Sequence, residues 1–322
     1  MSKKIIIVGG DPNSVNSEII YKTWKHLNND IKKNMYIISN FKLIDKQFKQ
    51  LKYKCNLIKV RSIDHDITNA DLKIIDVPLY FKNPFNVSLK ESSRFVLKCL
   101  DLAHGLAINK KVKGIINCAI NKNLIKISKK IGVTEYLASK CQIKNSSEVM
   151  MIFNKKLSVV PITTHINIRD ISKKITKKLI IKKIISLNKN YKQIFNYKPK
   201  IAILGLNPHN AEFSKNSEEK LKIIPAIKVL KKNKINIIGP EVSDTIFVNK
   251  YKKFNVIVGM YHDQVLSPFK TLFNFDAINI TLGLSYIRLS PDHGPASDII
   301  GKNKADCISL TNCVQFIVAL KK

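Results

Sequence analysis

Three short runs of β-branched and aliphatic residues, each followed by a histidine, constrain this chain more than any other feature. In residues 254–264, Val256, Ile257 and Val258 have the character of a buried strand that ends at Gly259, and His262, Asp263 and Gln264 follow. Residues 157–162 are apolar and lead into Thr163, Thr164 and His165, and residues 201–206 lead into Asn207, Pro208 and His209. Continuous apolar runs of this length suit strands buried on both faces, in a sheet covered by helices. Polar clusters just past such strands are where open α/β sheets carry their chemistry.

The rest of the chain alternates in the same way. Strands are expected at 5–8, 35–38, 55–60, 73–76, 112–117, 149–153, 235–238 and 276–282, with 149–153 and 157–162 pairing as neighbours. Helical spacing marks the stretch up to His26, the segment between residues 38 and 55, and 88–107, 218–230 and 308–320. The clearest amphipathic helix is 171–187, where Ile171, Ile175, Leu179, Ile184 and Leu187 recur between lysines. Residues 188–198 read as a polar connection, Gly239-Pro240 as the end of a strand, and 290–306 as a loop of charged and small residues. Alternation of this kind specifies an α/β fold with a parallel, helix-covered sheet.

The 322 residues suffice for two domains or one large one, and 45% hydrophobic content is that of a globular protein. The net charge of +33 suggests a nucleic-acid or acidic-membrane binder, yet the lysines are scattered and Ile and Asn are enriched with them. A lysine-rich, compositionally biased chain explains that pattern better than a basic binding arm, so no nucleic-acid or membrane partner is expected. The charge would still draw anionic small molecules. Cys55, Cys99, Cys118, Cys141, Cys307 and Cys313 show no CxxC pair or metal-type spacing and read as thiols of a reducing cytoplasm. Residues 5–8 are too short for a signal peptide, and no run approaches ~18 uninterrupted apolar residues.

One histidine past a strand is usually structural; three in matching positions are a candidate metal site, because strand ends on one edge converge. His165, His209 and His262 are therefore expected to meet at one divalent cation with an open position for substrate. Zinc suits imidazoles best, with cobalt, manganese and magnesium as alternatives. Asp263, Thr164, Asn207 and Glu212 are candidates for orienting these groups. A second constellation is Lys270, Asn279 and Arg288. Lysine is common here, but arginine is scarce, and Arg288 lies among Tyr286, Ile287 and Leu289, where a buried guanidinium calls for an anionic partner. The third is residues 291–301, either a turn into a helix or a backbone-lined loop for a nucleotide.

Together these stretches resemble the 4-hydroxythreonine-4-phosphate dehydrogenase family. The matching motifs run in family order: Gly10-Asp11-Pro12 with Glu18, Ile120-Asn121-Lys122, Thr134-Glu135-Tyr136-Leu137, Thr163-Thr164-His165 with Arg169-Asp170, and Gly205-Leu206-Asn207-Pro208-His209 with Glu212. They continue with Gly239-Pro240 and Asp244-Thr245, Met260-Tyr261-His262-Asp263-Gln264, Thr281-Leu282-Gly283-Leu284, Asp292-His293-Gly294 and Lys304-Ala305-Asp306. The 292–301 loop is also similar to the cofactor loop of the wider isocitrate and isopropylmalate dehydrogenase superfamily, which does not use a glycine-fingerprint nucleotide site.

The resemblance implies two α/β/α domains, placed at 1–125 plus 283–322 and at 126–282, with the second carrying the metal and the contact of a cytoplasmic homodimer. It implies His165, His209 and His262 as metal ligands and Thr134, Lys270, Asn279 and Arg288 as substrate-binding residues. It further implies Asp244 and Lys270 as catalytic groups, and His293, Gly294, Ala296 and Asp306 as contacts to NAD or NADP. The implied reaction is oxidation of a phosphorylated 3-hydroxy amino acid followed by loss of carbon dioxide. The chain departs from the family pattern where histidine is replaced by Val133, where Ala-Gly after the second histidine becomes Asn210-Ala211, where a threonine becomes Pro295, and in the 13–17 loop. The loss of histidine at Val133 brings in a second substrate candidate, a phosphorylated sugar acid such as phosphothreonate or phosphoerythronate. A three-histidine zinc hydrolase and a basic nucleic-acid binder are the alternatives from other classes.

Overall fold

The structure, a computed structural model, describes residues 4–64, 70–130, 132–142, 148–274 and 276–320. The chain forms two compact units, Met1–Gln142 with Leu284–Lys322, and Ile143–Gly283.

The first unit opens with β1 (Lys4–Val8), α1 (Asn16–His26), α2 (Asn29–Asn34), β2 (Met35–Ser39), α3 (Phe41–Gln50), β3 (Leu57–Val60) and β4 (Leu72–Asp76). It continues with α4 (Leu89–Ile108), β5 (Val112–Asn117), α5 (Lys122–Ile125) and α6 (Val133–Lys140). The side chains of Asn40 and Ser88 accept from the amides of Leu43 and Glu91 and so start α3 and α4. Helix α4 turns Phe95, Val96, Cys99, Leu100, Ala103 and Ala107 inward at helical spacing. Burying an aliphatic or aromatic side chain of this kind stabilises by about 1.5–3 kcal/mol. The first changeover was expected at 125/126; instead α6 packs on α4 and α5 through buried Tyr136 and Leu137, so this unit extends to Gln142.

The second unit contains β6 (Val149–Phe153), β7 (Ser158–Thr163), α7 (Ile171–Lys174), α8 (Lys177–Phe195), β8 (Ile201–Leu204) and α9 (Ile224–Lys232). Then come β9 (Ile237–Glu241), α10 (Ser243–Ile246), β10 (Val256–Tyr261), α11 (His262–Phe273) and β11 (Ile278–Leu282). Its strands run in the order β11-β6-β7-β10-β8-β9. Strand β6 is antiparallel to both neighbours, whereas β7, β10, β8 and β9 are mutually parallel. Phe254, Ile257, Val265, Leu266 and Phe269 join β7 and β8 residues in one core.

The C-terminal stretch returns to the first unit as β12 (Arg288–Pro291) and α12 (Ile308–Ala319). The strand order there is β3-β4-β2-β1-β5-β12, all parallel. Gly114 permits the close approach before β12, since a Cβ there would lie 2.5 Å from the Ile287 carbonyl oxygen.

Several expected elements changed. The helix expected at 171–187 is two helices, because Ile175 is buried in extended backbone and the Thr176 hydroxyl accepts from Leu179 N to start α8. The connection expected at 188–198 is mostly helix: α8 runs on through Phe195, with Tyr191 buried, and stops at Asn196 in the left-handed region. Strand β9 runs through Gly239-Pro240, which an edge strand tolerates. The 290–306 loop begins within β12, whose short span lacks a visible alternation. Strand β10 extends past Gly259 to Tyr261, and His262 opens α11, a helix that interior Pro268 obscures in the sequence. Among the described residues, no helix is long and apolar enough to cross a membrane.

Candidate functional site

The second unit gathers the histidine-bearing ends. Strands β7, β10 and β8 are parallel, so their C-terminal ends share one edge of that unit's sheet. Tyr261 lies opposite Thr163, and the Thr163 hydroxyl donates to Met260 O at 2.7 Å. His165 and His262 thereby emerge side by side, with ring centroids 5.6 Å apart. The His262 ring bonds through Nδ1 to Asp263 Oδ1 at 2.8 Å, which leaves Nε2 as its outward donor.

His209 stands on an exposed left-handed turn, with His209, Asn210, Ala211, Glu212 and Phe213 at φ between 49° and 57°. Such backbone costs non-glycine residues about 1–2 kcal/mol each and persists only where surrounding contacts impose it. Those contacts are visible. Glu219, buried in a π-helical turn (Glu219–Ile223), accepts from Leu206 N at 2.7 Å, Asn207 N at 2.9 Å and Asn207 Nδ2 at 3.0 Å. Glu218 accepts from Asn207 Nδ2 at 2.9 Å and from the Ser172 hydroxyl. Asn210 Nδ2 donates to Pro240 O at 3.1 Å. Gln264 ties the two strand ends together: Nε2 donates to Gly205 O and Ser243 Oγ, both at 2.7 Å, and Oε1 accepts from Met260 N at 2.6 Å.

The hydrogen bonds from Ser172 and Asn207 hold the Glu218 carboxyl below its ordinary pKa. Burial pushes Glu219 upward, but the amides and side chain of 206–207 outweigh it and leave the group below its ordinary value. Both carboxylates were absent from the sequence expectations. The one available signal was an adjacent acidic pair in a chain with 23 acidic residues against 56 basic ones.

The donors fit a divalent cation by chemistry: two adjacent imidazoles, and a third at the same sheet edge. Among the described residues, no group of three His, Cys, Asp or Glu side chains is gathered closely enough to hold a metal ion. The expected meeting of three imidazoles is thus present for His165 and His262, and His209 is not drawn into it.

The other expected residues divide by unit. In the second, Asp244 is exposed on α10, Lys270 is half-buried on α11, and Asn279 lies on β11. The Asn279 Oδ1 atom is buried with no hydrogen-bond partner, an acceptor open to a ligand's donor. In the first, Thr134 is half-buried near the start of α6, next in sequence to Val133, which packs against the core of that unit. Arg288 is 4% exposed, and its Nε donates to Asn117 Oδ1 at 2.6 Å. Burial pulls its pKa down to about 10, against the opposing pull of Cys313, Tyr286 and Glu135.

The 292–306 loop of the same unit carries His293, Gly294, Ala296 and Asp306. His293 Nδ1 engages Gly294 O at 2.9 Å, while Nε2 is buried without a partner. Ala296 is left-handed at φ 52°, and Asp306 is exposed, with Oδ1 accepting from Ile308 N at the start of α12. An orphaned ring nitrogen beside open space at Gly294 fits a polar ligand such as a dinucleotide.

Residues 30–317 match the family described as pyridoxal phosphate biosynthetic protein PdxA. The 4-hydroxythreonine-4-phosphate dehydrogenase of Sulfurihydrogenibium sp. (strain YO3AOP1) is 40% identical over 326 residues, covering 99% of this chain and 98% of that protein. The crystal structure of 4-hydroxythreonine-4-phosphate dehydrogenase from Klebsiella pneumoniae superposes with a TM-score of 0.86 at 27% identity, over 100% of this chain and 99% of the other. Isocitrate dehydrogenase from Methylococcus capsulatus shares the fold alone, with a TM-score of 0.50 at 11% identity, over 99% of this chain and 85% of that one. The α/β fold is therefore of the isocitrate and isopropylmalate dehydrogenase type, as expected. On the full-length match and the motif order together, the chain belongs to the PdxA family.

Proposed function

We propose that this protein uses NAD or NADP to oxidise the 3-hydroxyl of 4-phosphooxy-L-threonine. The product, 2-amino-3-oxo-4-phosphooxybutanoate, loses carbon dioxide to give 3-amino-2-oxopropyl phosphate, a step towards pyridoxal phosphate. The observation that carries the reading is the side-by-side placement of His165 and His262 at the strand ends of a PdxA-family chain. His165 and His262 would hold one divalent cation, with His209 turning in from its exposed turn to complete the set on binding; zinc is preferred, with cobalt, manganese or magnesium as alternatives. Bound there, the cation would supply Lewis-acid polarisation of the substrate oxygen. The nicotinamide, held by His293, Gly294, Ala296 and Asp306, would accept the hydride.

The protein's own groups do the rest. Lys270 and Arg288 supply positive charge for the phosphate and carboxylate, and Arg288 is fixed in place by Asn117. Thr134 and Asn279 orient the substrate, and the vacant Oδ1 of Asn279 suits an ammonium or hydroxyl donor. Asp244, exposed on α10, handles a proton; Lys270 is the second candidate for that role. The net charge of +33 favours encounter with an anionic substrate. The protein would act as a cytoplasmic homodimer, and its free cysteines agree with a reducing compartment.

Val133 supports a second substrate, because an apolar side chain packed on the core replaces an imidazole beside Thr134. That substrate is a phosphorylated threonate or erythronate, undergoing the same oxidation. The test is NADH formation with purified protein, each divalent metal and each acid in turn. Turnover of 4-phosphooxy-L-threonine supports the first reading, and selective turnover of the sugar acid supports the second. Reduction of neither NAD nor NADP under any combination would overturn both.

A further inference from the structure

Helix α1 lies against the 292–307 stretch and grips it by several bonds. Val15 N, just before the helix, donates to Pro295 O at 3.2 Å. Glu18 Oε1 accepts from Ala305 N at 2.6 Å and from Lys22 Nζ at 2.8 Å. Lys22 Nζ turns back to the same loop and donates to Ala305 O at 2.8 Å and Asn303 O at 3.3 Å. Tyr53 adds a bond from its hydroxyl to Asn303 Oδ1 at 2.6 Å. The backbone N–H and C=O of one residue, Ala305, are thus both taken by one ion pair, immediately before Asp306.

This arrangement is expensive as a packing device. Glu18 is 1% exposed, and its second oxygen is buried with no partner. A buried, half-satisfied carboxylate stabilises a fold less well than an apolar side chain of similar volume. What the ion pair gives in return is directional: it fixes the path of backbone 303–305, which an apolar contact would not. A loop already held in its ligand-bound path loses less conformational entropy on binding.

We propose that Glu18 and Lys22 are positioning residues that preorganise the 292–306 loop for the nicotinamide dinucleotide. The inference rests on the reading that this loop holds NAD or NADP. Among the described residues, the pair's hydrogen bonds to the loop go to its backbone, so it acts on nucleotide affinity and leaves the chemical step alone.

The test uses the full-length protein with Lys22→Met, Glu18→Gln and Glu18→Ala. NADH and NADPH affinities are measured by calorimetry without substrate, alongside KM for the nucleotide, kcat and thermal unfolding. Lys22→Met is expected to raise Kd and nucleotide KM about tenfold with kcat at saturation unchanged. Glu18→Gln, which keeps an acceptor for Ala305 N, should recover part of the affinity lost in Glu18→Ala. Unchanged Kd in the folded Lys22→Met protein would overturn the proposal, as would equal affinities for Glu18→Gln and Glu18→Ala. If Glu18→Ala does not fold, Lys22→Met decides alone, because Lys22 is partly exposed. Absence of nucleotide binding in the unaltered protein would instead count against the cofactor reading itself.

Discussion

The imidazole rings of His165 and His262 lie 5.6 Å apart, centroid to centroid, with their planes at 37°. The pairing follows from backbone register. Parallel β7 and β10 end level with one another, with Tyr261 opposite Thr163, so the residues just beyond both ends are neighbours. His165 is exposed, and His262 is held from the side by Asp263. Replacing His165 by alanine should therefore leave the fold within about 0.5 kcal/mol of the original, as for a surface substitution. It should abolish oxidation and lower zinc affinity by at least tenfold. Calorimetric zinc titration beside urea unfolding checks this; tight zinc binding in the variant would remove His165 from the ligand set.

Glu219 supports the third histidine at a distance. Its carboxylate receives the amides of Leu206 and Asn207, so it fixes the chain where the left-handed turn begins. Glu219→Gln can keep one oxygen for both amides but sets an NH2 group against the Asn207 side-chain NH2 that the second oxygen accepts, leaving a buried donor unpaired at a cost of about 1–3 kcal/mol. The turn would relax, and metal affinity should fall by roughly 10–100-fold, the usual effect of losing a supporting contact. Unfolding curves and metal titration of the same preparation read both effects. A destabilised variant with unaltered metal affinity would show that Glu219 serves the fold alone.

The first unit offers a pH test. His104 on α4 faces the Tyr286 hydroxyl at 3.0 Å from Nδ1, with Lys140 and Asp101 as charged neighbours. Burial, then the Lys140 charge, lowers its pKa below the ordinary value of 6.5, against the opposing pull of Asp101. A depressed pKa means that the unfolded chain binds the proton more readily than the folded one. The stability contribution of His104 is thus complete above about pH 6.5 and declines as pH falls towards the folded value. His104→Gln should lose less stability than the original between pH 7.5 and 5.5. Urea unfolding across that range measures the difference, and parallel curves would show that His104 contributes none of the slope.

Much of this architecture was legible in the sequence because buried parallel strands announce themselves. Runs such as 5–8 and 256–258 are apolar throughout, and each lies in a strand. Elements set by local competition were not legible. Thr176 divides a continuous helical stripe by taking the role of a cap, and Tyr191 extends helix into a polar stretch by burying its ring. At the site, histidines at strand ends were visible as a repeated pattern. The groups that hold those ends were not: Glu219 reaches Leu206 and Asn207 from a π-helical turn, and Gln264 bridges Met260, Gly205 and Ser243, contacts that only the folded chain brings together. The left-handed path at His209 was hidden for a related reason, since Asn210-Ala211-Glu212-Phe213 contains no glycine to mark it.

That missing glycine leads to a stabilising substitution. Ala211 sits at φ 49° and ψ 34°, where its Cβ crowds the backbone and glycine would not. Ala211→Gly removes about 1–2 kcal/mol of strain. It also frees the unfolded chain, which returns about 0.4–1 kcal/mol of that gain. The net expectation is stabilisation of roughly 0.5–1 kcal/mol, opposite in sign to the usual Ala-to-Gly result. Because Glu219, Asn207 and Pro240 hold the turn from outside residue 211, the position of His209 should not change, and metal affinity should stay within twofold. Thermal and urea unfolding, with zinc titration as the companion measurement, test both statements. If Ala211→Gly destabilises the protein, the left-handed backbone at residue 211 is not strained, and the case for an externally imposed turn at His209 fails with it.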